Sequence, residues 1–197
     1  MSEKEHKNCW NCQLAGTRAQ VVLPDGPATA IRGIFAVGEA PGADEDASGI
    51  GFYGAAGKTL DKLFAEHGVS RDMYGRANIC CCRPPNNQKP KKDEVAACTP
   101  WLREALTERF NVEVVLAVGL TPSCFFYNAK SLSEALARAV ENNYVPDLDW
   151  AREAGIRVVP SPHTSPLAFN RNAPTGEKWS VVARRQISTV MKLIDNL

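Results

Sequence analysis

The sequence has 197 residues, a mass of 21.5 kDa and a formal net charge of +1, from 23 basic and 22 acidic side chains. Its 44% hydrophobic content supports a folded core and excludes wholesale disorder, and no apolar run approaches the roughly 20 residues that span a bilayer. The length predicts one domain over residues 1–197, and the N-terminal segment has no secretory h-region, which predicts a cytoplasmic protein without a membrane partner.

Short apolar runs alternate with helical patterns along the chain. Buried strands are predicted at residues 33–38, 77–81, 113–119 and 155–160. Helices are predicted at residues 56–67, 93–110, from about 121, 133–141 and 179–195. Asp93 is the predicted N-cap of its helix, and residues 142–150 are predicted as a loop. Strands that alternate with helices require crossover connections, so the predicted class is α/β, with three layers (α/β/α) around a central four-stranded parallel sheet.

Ligand sites in folds of this class lie beyond the carboxyl ends of the strands. Three long loops occupy such positions, at residues 38–54, 82–90 and 161–172. The loop after the third strand, residues 119–123, is short and chemically plain. The candidate site is therefore expected to come from the three long loops.

The first long loop combines glycines, a carboxylate and two aromatic residues. Gly38 and Gly42 bracket Glu39, and glycine permits the close approach of a ligand to the backbone. The spacing matches neither a dinucleotide fingerprint nor a P-loop. Further along, Phe52 and Tyr53 lie between glycines, where an aromatic ring can stack on a planar base or, with about equal weight, fill the core.

Asn78 and His163 are the polar candidates near the ends of the second and fourth strands. The Asn78 carboxamide offers a donor and an acceptor that match the edge of a pyrimidine, although a lone asparagine is more often structural. His163 is favoured over the other histidines because its position coincides with the candidate loops. His6 and His67 are set aside as ordinary histidines.

Seven cysteines occur without a predicted signal peptide, which favours metal binding over disulfides. Cys9 and Cys12 form a C-x2-C unit, and Cys82 and Cys98 form a C-x15-C unit downstream. Two such pairs make a four-thiolate metal site plausible. The remaining thiols fit better as small buried residues; they are Cys80, Cys81 and Cys124.

Two stretches are locally basic despite the balanced overall charge. Residues 83–92 contain Arg83, Lys89, Lys91 and Lys92 and no acid. Residues 167–185 carry four basic side chains against one acid. Such stretches can contact phosphates, and they are equally compatible with ordinary solvated surface.

These motifs resemble, in order, those of the uracil-DNA glycosylase superfamily, and they are most similar to family 4, the iron–sulfur type. The resemblance rests on GEAPGADED, GFYGAAGKTL, NICCCRPPNNQKP with a following AAC, and PSPHTSP, and it extends from Cys9 to about Arg171. It implies a four-stranded parallel sheet flanked by helices. It also implies a 4Fe–4S cluster on Cys9, Cys12, Cys82 and Cys98, which would tie the N-terminal segment to the body, with zinc as a less favoured occupant.

The resemblance implies a base-excision role on uracil-containing DNA. Phe52 would stack on a uracil flipped out of the duplex, and Asn78 would pair with its O4 and N3–H. As the N-glycosidic bond breaks, His163 would donate a hydrogen bond to O2 of the departing base. Hydrolysis would leave an abasic site, and the enzyme is expected to be monomeric.

Two acidic residues, Glu39 and Glu45, are candidates for positioning the water and for excluding thymine. Glu39 would orient the attacking water at C1′, and Glu45 would lie near C5 and exclude the methyl group of thymine. Which of the two positions the water is open at this stage. Backbone amides would hold the carbonyl oxygens of the base; they belong to the segment that contains Gly38, Ala40 and Gly42.

The DNA contacts implied by the resemblance come from the basic stretches and one leucine. Leu167 would wedge into the gap that the flipped nucleotide leaves, or would simply cover the core. Phosphates would be held by Arg83, Lys89, Lys91, Lys92 and Arg171.

Two departures from the family pattern leave the substrate range open. Tyr53 follows Phe52 where family 4 usually has valine, and the last motif reads HTSPLAFN. A glycosylase for another deaminated base, such as hypoxanthine, is therefore one alternative. A non-catalytic iron–sulfur module that binds nucleic acid is another. A small-molecule hydrolase or transferase that uses Glu39 explains neither the basic loops nor the cysteine spacing as well.

Overall fold

A four-stranded sheet with all strands parallel forms the centre of the protein in this computed structural model, which describes residues 6–26, 33–110 and 112–196. The strands are β1 Ile34–Gly38, β2 Gly75–Asn78, β3 Val114–Val118 and β4 Arg157–Ser161. Their order across the sheet is β2-β1-β3-β4. The register pairs Phe35 with Gly75 and with Val115, and Leu116 with Val159.

Helices connect the strands and cover the sheet. They are α1 Ala43–Ser48, α2 Ala55–Ala65, α3 Lys92–Glu104, α4 Leu120–Tyr127, α5 Leu132–Glu141, α6 Asp149–Glu153, α7 Pro166–Phe169 and α8 Trp179–Asp195. A π-helical turn, Ala105–Arg109, continues α3, and 3-10 turns lie at Gln13–Gly16, Arg71–Met73 and Pro85–Asn87. Within the described ranges, no helix is long and apolar enough to cross a membrane.

Alternate residues of each strand face two separate cores, because successive side chains of a strand point to opposite faces of the sheet. From β1, Ile34 and Ala36 pack against α2 and α8, whereas Phe35 and Val37 pack against α3, α4, α5 and α6. The core strand residues on both faces are almost fully buried. The predicted three-layer α/β/α class is therefore confirmed.

The second strand begins and ends two to three residues before its predicted position. Gly75 starts β2, and a Cβ there would lie 1.8 Å from the Phe35 ring, so only glycine lets the ring occupy this place. Arg76 follows inside the strand and pairs with Asp25 at 3.0 Å. A search for apolar runs misses a strand whose first residues are glycine and arginine.

The other differences concern helix ends and short helices. The N-cap of α3 is Lys91 rather than Asp93, which lies in the first turn beside Glu94, whose carboxylate accepts the Lys91 N–H at 2.7 Å. Both α1 and α7 occur where loops were expected, and α6 begins inside the predicted loop at 142–150. In α1 the first turn carries three acids, which interact favourably with a helix N-terminus.

The strand order places the switch in chain direction between β1 and β3. The chain leaves β1 toward β2 on one side and later returns to β3 on the other side. At such a point the two following loops diverge and open a crevice beyond the carboxyl ends of the strands.

Candidate active site and cysteine-lined cavity

A cavity of about 340 Å³ opens at this crevice. Its walls bring together candidate residues that are far apart in the chain. They are Gly38, Glu39, Ala40, Gly42, Glu45, Phe52, Asn78 and His163. The size is in the range of small-molecule sites, and the lining mixes one aromatic ring with a few convergent polar groups.

Phe52 is held in an unusual backbone conformation against this cavity. Its φ is +53°, a left-handed value that is strained for an aromatic residue, and its side chain is 7% exposed. Helix α2 approaches so closely that a Cβ at Gly57 would lie 1.7 Å from the Phe52 carbonyl oxygen. A Cβ at Gly38 would lie 2.9 Å from the ring. Gly57 therefore leaves room for the Phe52 backbone, and Gly38 leaves room for its ring.

Arg71 fixes the backbone of the segment between α1 and α2, residues 49–54, which we call the aromatic loop. Its guanidinium donates to the carbonyl of Phe52 at 3.0 Å and to that of Gly51 at 2.7 Å. The same group forms an ion pair with Asp61 at 3.1 Å, and the hydroxyl of Tyr74 donates to that carboxylate. This network holds the strained conformation from behind, and the sequence offered no signal for it because its members belong to separate elements.

Asn78 ends β2 with its carboxamide at the cavity wall. The residue is 6% exposed, and no described residue hydrogen-bonds its side chain. A Cβ at Gly38 would lie 2.5 Å from the Asn78 Oδ1, so the glycine lets the amide stand close against the end of β1. The amide donor and acceptor are therefore left for a ligand.

His163 follows β4 and faces the cavity with a defined tautomer. The Ser165 N–H donates to its Nδ1 at 3.1 Å, which places the proton of the neutral ring on Nε2. Although one face of the residue is open to solvent, surrounding protein atoms lower the pKa of His163, and the carboxylates of Glu39 and Glu45 oppose that shift. The ring is therefore a neutral donor through Nε2.

The two acidic candidates have different surroundings. Both oxygens of Glu45 are occupied: one accepts the Gly42 N–H at 3.0 Å and the other accepts the Gly54 N–H at 2.8 Å. Among the described residues, none forms a hydrogen bond to the side chain of Glu39. Glu45 thus joins residues 38–42, which we call the glycine loop, to the aromatic loop. Glu39 presents its carboxylate to the cavity.

The predicted DNA contacts lie outside the cavity. Arg83 donates to the Asn87 side chain at 2.8 Å, and Lys89 and Arg171 are exposed. Leu167 is 71% exposed on the short helix α7, so it does not cover the core.

The cavity also contains residues that the sequence analysis did not select. The end of β3 supplies Val118, and the loop after it, judged chemically plain, supplies Gly119, Leu120 and Pro122. The second long loop supplies Pro84, Asn87 and Gln88, and α2 supplies Ala56. The residues after β3 could have been selected from the sequence, because β3 borders the switch point where ligands bind in such sheets.

A second, much smaller cavity lies where three parts of the chain meet. Cys9, Cys12, Cys82 and Cys98 all line it. The first two precede the turn at Gln13–Gly16, Cys82 follows β2, and Cys98 lies in the middle of α3. The spacing argument for a shared site is therefore matched by the placement of the four thiols.

The four candidate thiols around this cavity are a donor set that suits an iron–sulfur cluster and also suits zinc. In the described part of the chain, no three His, Cys, Asp or Glu side chains are grouped so as to hold one metal ion. Burial raises the pKa of Cys82 to about 12, so a metal centre must displace its proton.

The two other buried thiols of this region pack in the same cluster as Cys98, and Cys81 also lines the cavity. Hydrogen bonding with Cys80 and Cys81 holds the pKa of Cys98 well below its usual range. Cys124 is a half-buried residue of α4 and does not line this cavity. The N-terminal segment is further tied down by Arg18, which donates to the Cys9 carbonyl at 2.7 Å, and by Asp46, which accepts the Ala19 N–H at 2.9 Å.

Comparison with known proteins finds a matching family and several related sequences. Residues 24–185 match the family described as the uracil DNA glycosylase superfamily. The chain is 37% identical to a type-4 uracil-DNA glycosylase of Thermotoga maritima over 84% of this chain and 81% of that protein. It is 38% identical to the type-4 enzyme of Pyrobaculum aerophilum over 68% and 64%, respectively. It is 31% identical to that of Sulfurisphaera tokodaii over 86% and 76%.

Proposed function

The chain belongs to the uracil DNA glycosylase superfamily, and from that premise and the geometry of the cavity we propose that it is a DNA repair glycosylase that releases uracil from DNA. The enzyme hydrolyses the N-glycosidic bond and leaves an abasic site. Base excision of this kind requires the target nucleotide to leave the duplex and enter a fitted pocket.

One observation carries the proposal. Glu39, Phe52, Asn78 and His163, which come from two of the long loops and a strand end, line a single cavity of about 340 Å³. The cavity contains a stacking surface, an amide, a hydrogen-bond donor and a carboxylate. These are the groups that recognition and release of one pyrimidine require.

Recognition of the base uses Phe52 and Asn78. The Phe52 ring stacks on the flipped base, and its strained, clamped backbone keeps the ring in place before substrate binds. The Asn78 amide donates to O4 and accepts from N3–H of uracil. Cytosine presents the opposite donor and acceptor pattern at these positions, so it leaves two polar pairs unmatched.

Departure of the base uses His163. When the C1′–N1 bond breaks, its electron pair passes to the uracil ring, and negative charge gathers on O2. The Nε2–H of His163 donates to that oxygen, and Ser165 keeps this tautomer in place. A donor fixed in advance toward developing charge is often the largest catalytic contribution.

Attack by water uses Glu39. Its carboxylate orients a water molecule toward C1′ and offsets the positive charge that develops on the sugar. The water oxygen bonds to C1′, and its displaced proton balances the charge of the released base. Glu45 instead holds the loops that shape the pocket, because both of its oxygens already accept backbone N–H groups.

The glycine loop offers fewer free amides than its sequence suggests. Pro41 has no N–H, and the N–H of Gly42 is donated to Glu45. The N–H of Ala40 forms no hydrogen bond with the described residues, and Ala40 lies at the cavity wall. We assign this amide to a carbonyl oxygen of the base, with Gly38 and Gly42 providing space and shape rather than donors.

The exposed residues around the cavity serve the DNA. Leu167 projects from α7 with 71% of its surface exposed, which suits a side chain that fills the space left by the flipped nucleotide. Phosphates are held by the exposed or half-exposed cations Arg83, Lys89, Lys91, Lys92 and Arg171.

A 4Fe–4S cluster is held by Cys9, Cys12, Cys82 and Cys98. When bound, it supplies a covalent link between the N-terminal segment, the β2 loop and α3, so its binding energy contributes to folding. The base-release chemistry is assigned entirely to the residues of the other cavity.

The decisive experiment is a base-release assay on matched oligonucleotides. Each carries uracil, hypoxanthine, xanthine or cytosine at one position, in single- and double-stranded form. We expect free uracil and an alkali-labile strand at the uracil site, and no product with cytosine. Tight binding to uracil-containing DNA without base release would replace the enzyme by a binding module. Release of hypoxanthine but not of uracil would move the substrate range to another deaminated base.

A further inference from the structure

His6 lies in the wall of the cysteine-lined cavity, although no motif in the sequence distinguishes it from an ordinary histidine. The residue is 6% exposed, and its ring lies flat on Trp101 of α3, with centroids 3.9 Å apart and planes 6° apart. The same cavity is lined by Cys9, Cys12, Cys82 and Cys98. The imidazole is therefore fixed beside the four thiols.

The Nε2 atom of His6 is buried and has no hydrogen-bond partner among the described residues. Leaving a buried polar nitrogen unpaired is unfavourable, and such atoms in native proteins generally have a partner that completes them. The acceptors that this cavity would offer to Nε2 are sulfur atoms. They belong to the four candidate cysteines and to the inorganic sulfides of a bound cluster.

The imidazole of His6 can supply a donor at this wall of the cavity. An imidazole with its N–H on the buried, unpaired Nε2 offers one hydrogen-bond donor there. Thiolate and sulfide sulfurs are acceptors, and hydrogen bonds to them are among the protein's means of setting a cluster's reduction potential.

We propose that His6 donates its Nε2–H to a sulfur of the iron–sulfur cluster, with Trp101 holding the ring in position. This rests on the cluster assigned under the proposed function. His6 is then a positioning residue of the cluster, not a ligand and not a part of base release. The donor stabilises the more negative, reduced cluster and protects the metal centre from loss.

The test compares two substitutions of His6 in the full-length holoprotein. His6→Phe keeps an aromatic ring that can stack on Trp101 and removes the N–H, whereas His6→Gln loses the ring and restores an N–H donor. His67→Phe is the control, because His67 is an exposed histidine that contacts Ser188 at 3.4 Å, away from the cysteines. For each protein we measure iron content, the reduction potential, and the rate of iron loss to a chelator.

We expect His6→Phe to bind four irons, to have a more negative potential, and to lose iron about tenfold faster than wild type, a typical effect for a group that supports metal ligands. His6→Gln should recover part of both changes, and His67→Phe should match wild type. In protein labelled with ¹⁵N-histidine, the reduced cluster should show a nitrogen hyperfine coupling that His6→Phe abolishes.

Three results would overturn the inference. A wild-type potential and decay rate in His6→Phe would show that no donor acts there. Equal changes in both variants, without rescue by glutamine, would indicate a packing role only. An unchanged nitrogen coupling in His6→Phe would assign it to another residue. Uracil release is measured in parallel, and wild-type protein without iron would refute the cluster assignment while leaving base release standing.

Discussion

The candidate active-site cavity and the cysteine-lined cavity are built in opposite ways. The larger, of about 340 Å³, combines apolar walls with a few polar groups, and its shape is held by hydrogen bonds within the protein. The smaller is lined by five thiols, the four candidate ligands and Cys81, and leaves the buried Nε2 of His6 unpaired. The first is prepared for a substrate that comes and goes, whereas the second is completed only by a resident group.

The groups that shape the larger cavity act mainly on backbone atoms. Glu45 accepts two glycine N–H groups, Arg71 donates to two loop carbonyls, and Ser165 fixes the tautomer of His163. This is preorganisation, in which the free energy of ordering the site is met during folding rather than during the reaction. Changes in the two cavities should therefore affect different measurements.

The largest effect is expected from the groups that touch the base. Asn78→Ala and His163→Ala should each lower the single-turnover rate of uracil release by about 10²–10³, because one preorganised group is lost from the transition state. Circular dichroism and iron content should stay at wild-type values. Wild-type rates in both variants would remove these residues from the mechanism.

The cysteine cavity should respond in stability rather than in chemistry. Cys82→Ser should lose the cluster absorbance, and its Tm should fall by roughly 10 °C, since each kcal/mol corresponds to about 2–4 °C in a protein of this size. The single-turnover rate of the folded fraction should stay within about threefold of wild type, since no step of base release uses the cluster.

Cys124→Ser is the matched control for that experiment, because Cys124 is half-buried and does not line the cysteine cavity. It should keep both the absorbance and the Tm. A Cys82→Ser protein that retains its full iron content and stability would contradict the ligand assignment.

The clamp on the aromatic loop should give a smaller effect on catalysis. Arg71→Met removes two hydrogen bonds to the loop and the ion pair with Asp61, so Phe52 is free to leave its strained conformation. We expect kcat/KM for uracil release to fall about tenfold, as for a displaced positioning group. Arg184→Met, which breaks an exposed ion pair with Glu66, should leave kcat/KM unchanged. Equal losses in both variants would point to general destabilisation.

The smallest effect concerns pH. Surrounding protein atoms disfavour the charged form of His163 and hold its pKa below the usual value of 6.5, so the neutral tautomer persists as the pH falls through 6.5. Protonation at lower pH removes the acceptor for the Ser165 N–H, and single-turnover rates should then decline. His163→Asn, which keeps an N–H donor that does not titrate, should be slower and lack this decline. An identical acidic decline in that variant would assign it to another group.

Particular residues show how far sequence reasoning reaches in this protein. The α/β class follows from alternating apolar patterns, and the last helix was predicted with its observed bounds, Trp179–Asp195. The pocket residues could be selected because loops at the ends of parallel strands converge. The second strand was displaced because Gly75 and Arg76 carry no apolar signal, and their places depend on Phe35 and Asp25.

The sequence by itself determined the class of fold, the loops that carry chemistry and the two cysteine pairs, because periodicity and spacing are local properties of a chain. Only the tertiary structure decided which carboxylate is free, which nitrogen of His163 carries the proton, and that His6 lies beside the thiols. Each of these depends on the hydrogen-bond partners and solvent exclusion that distant segments supply. Such contacts are formed by packing and leave no pattern along the chain.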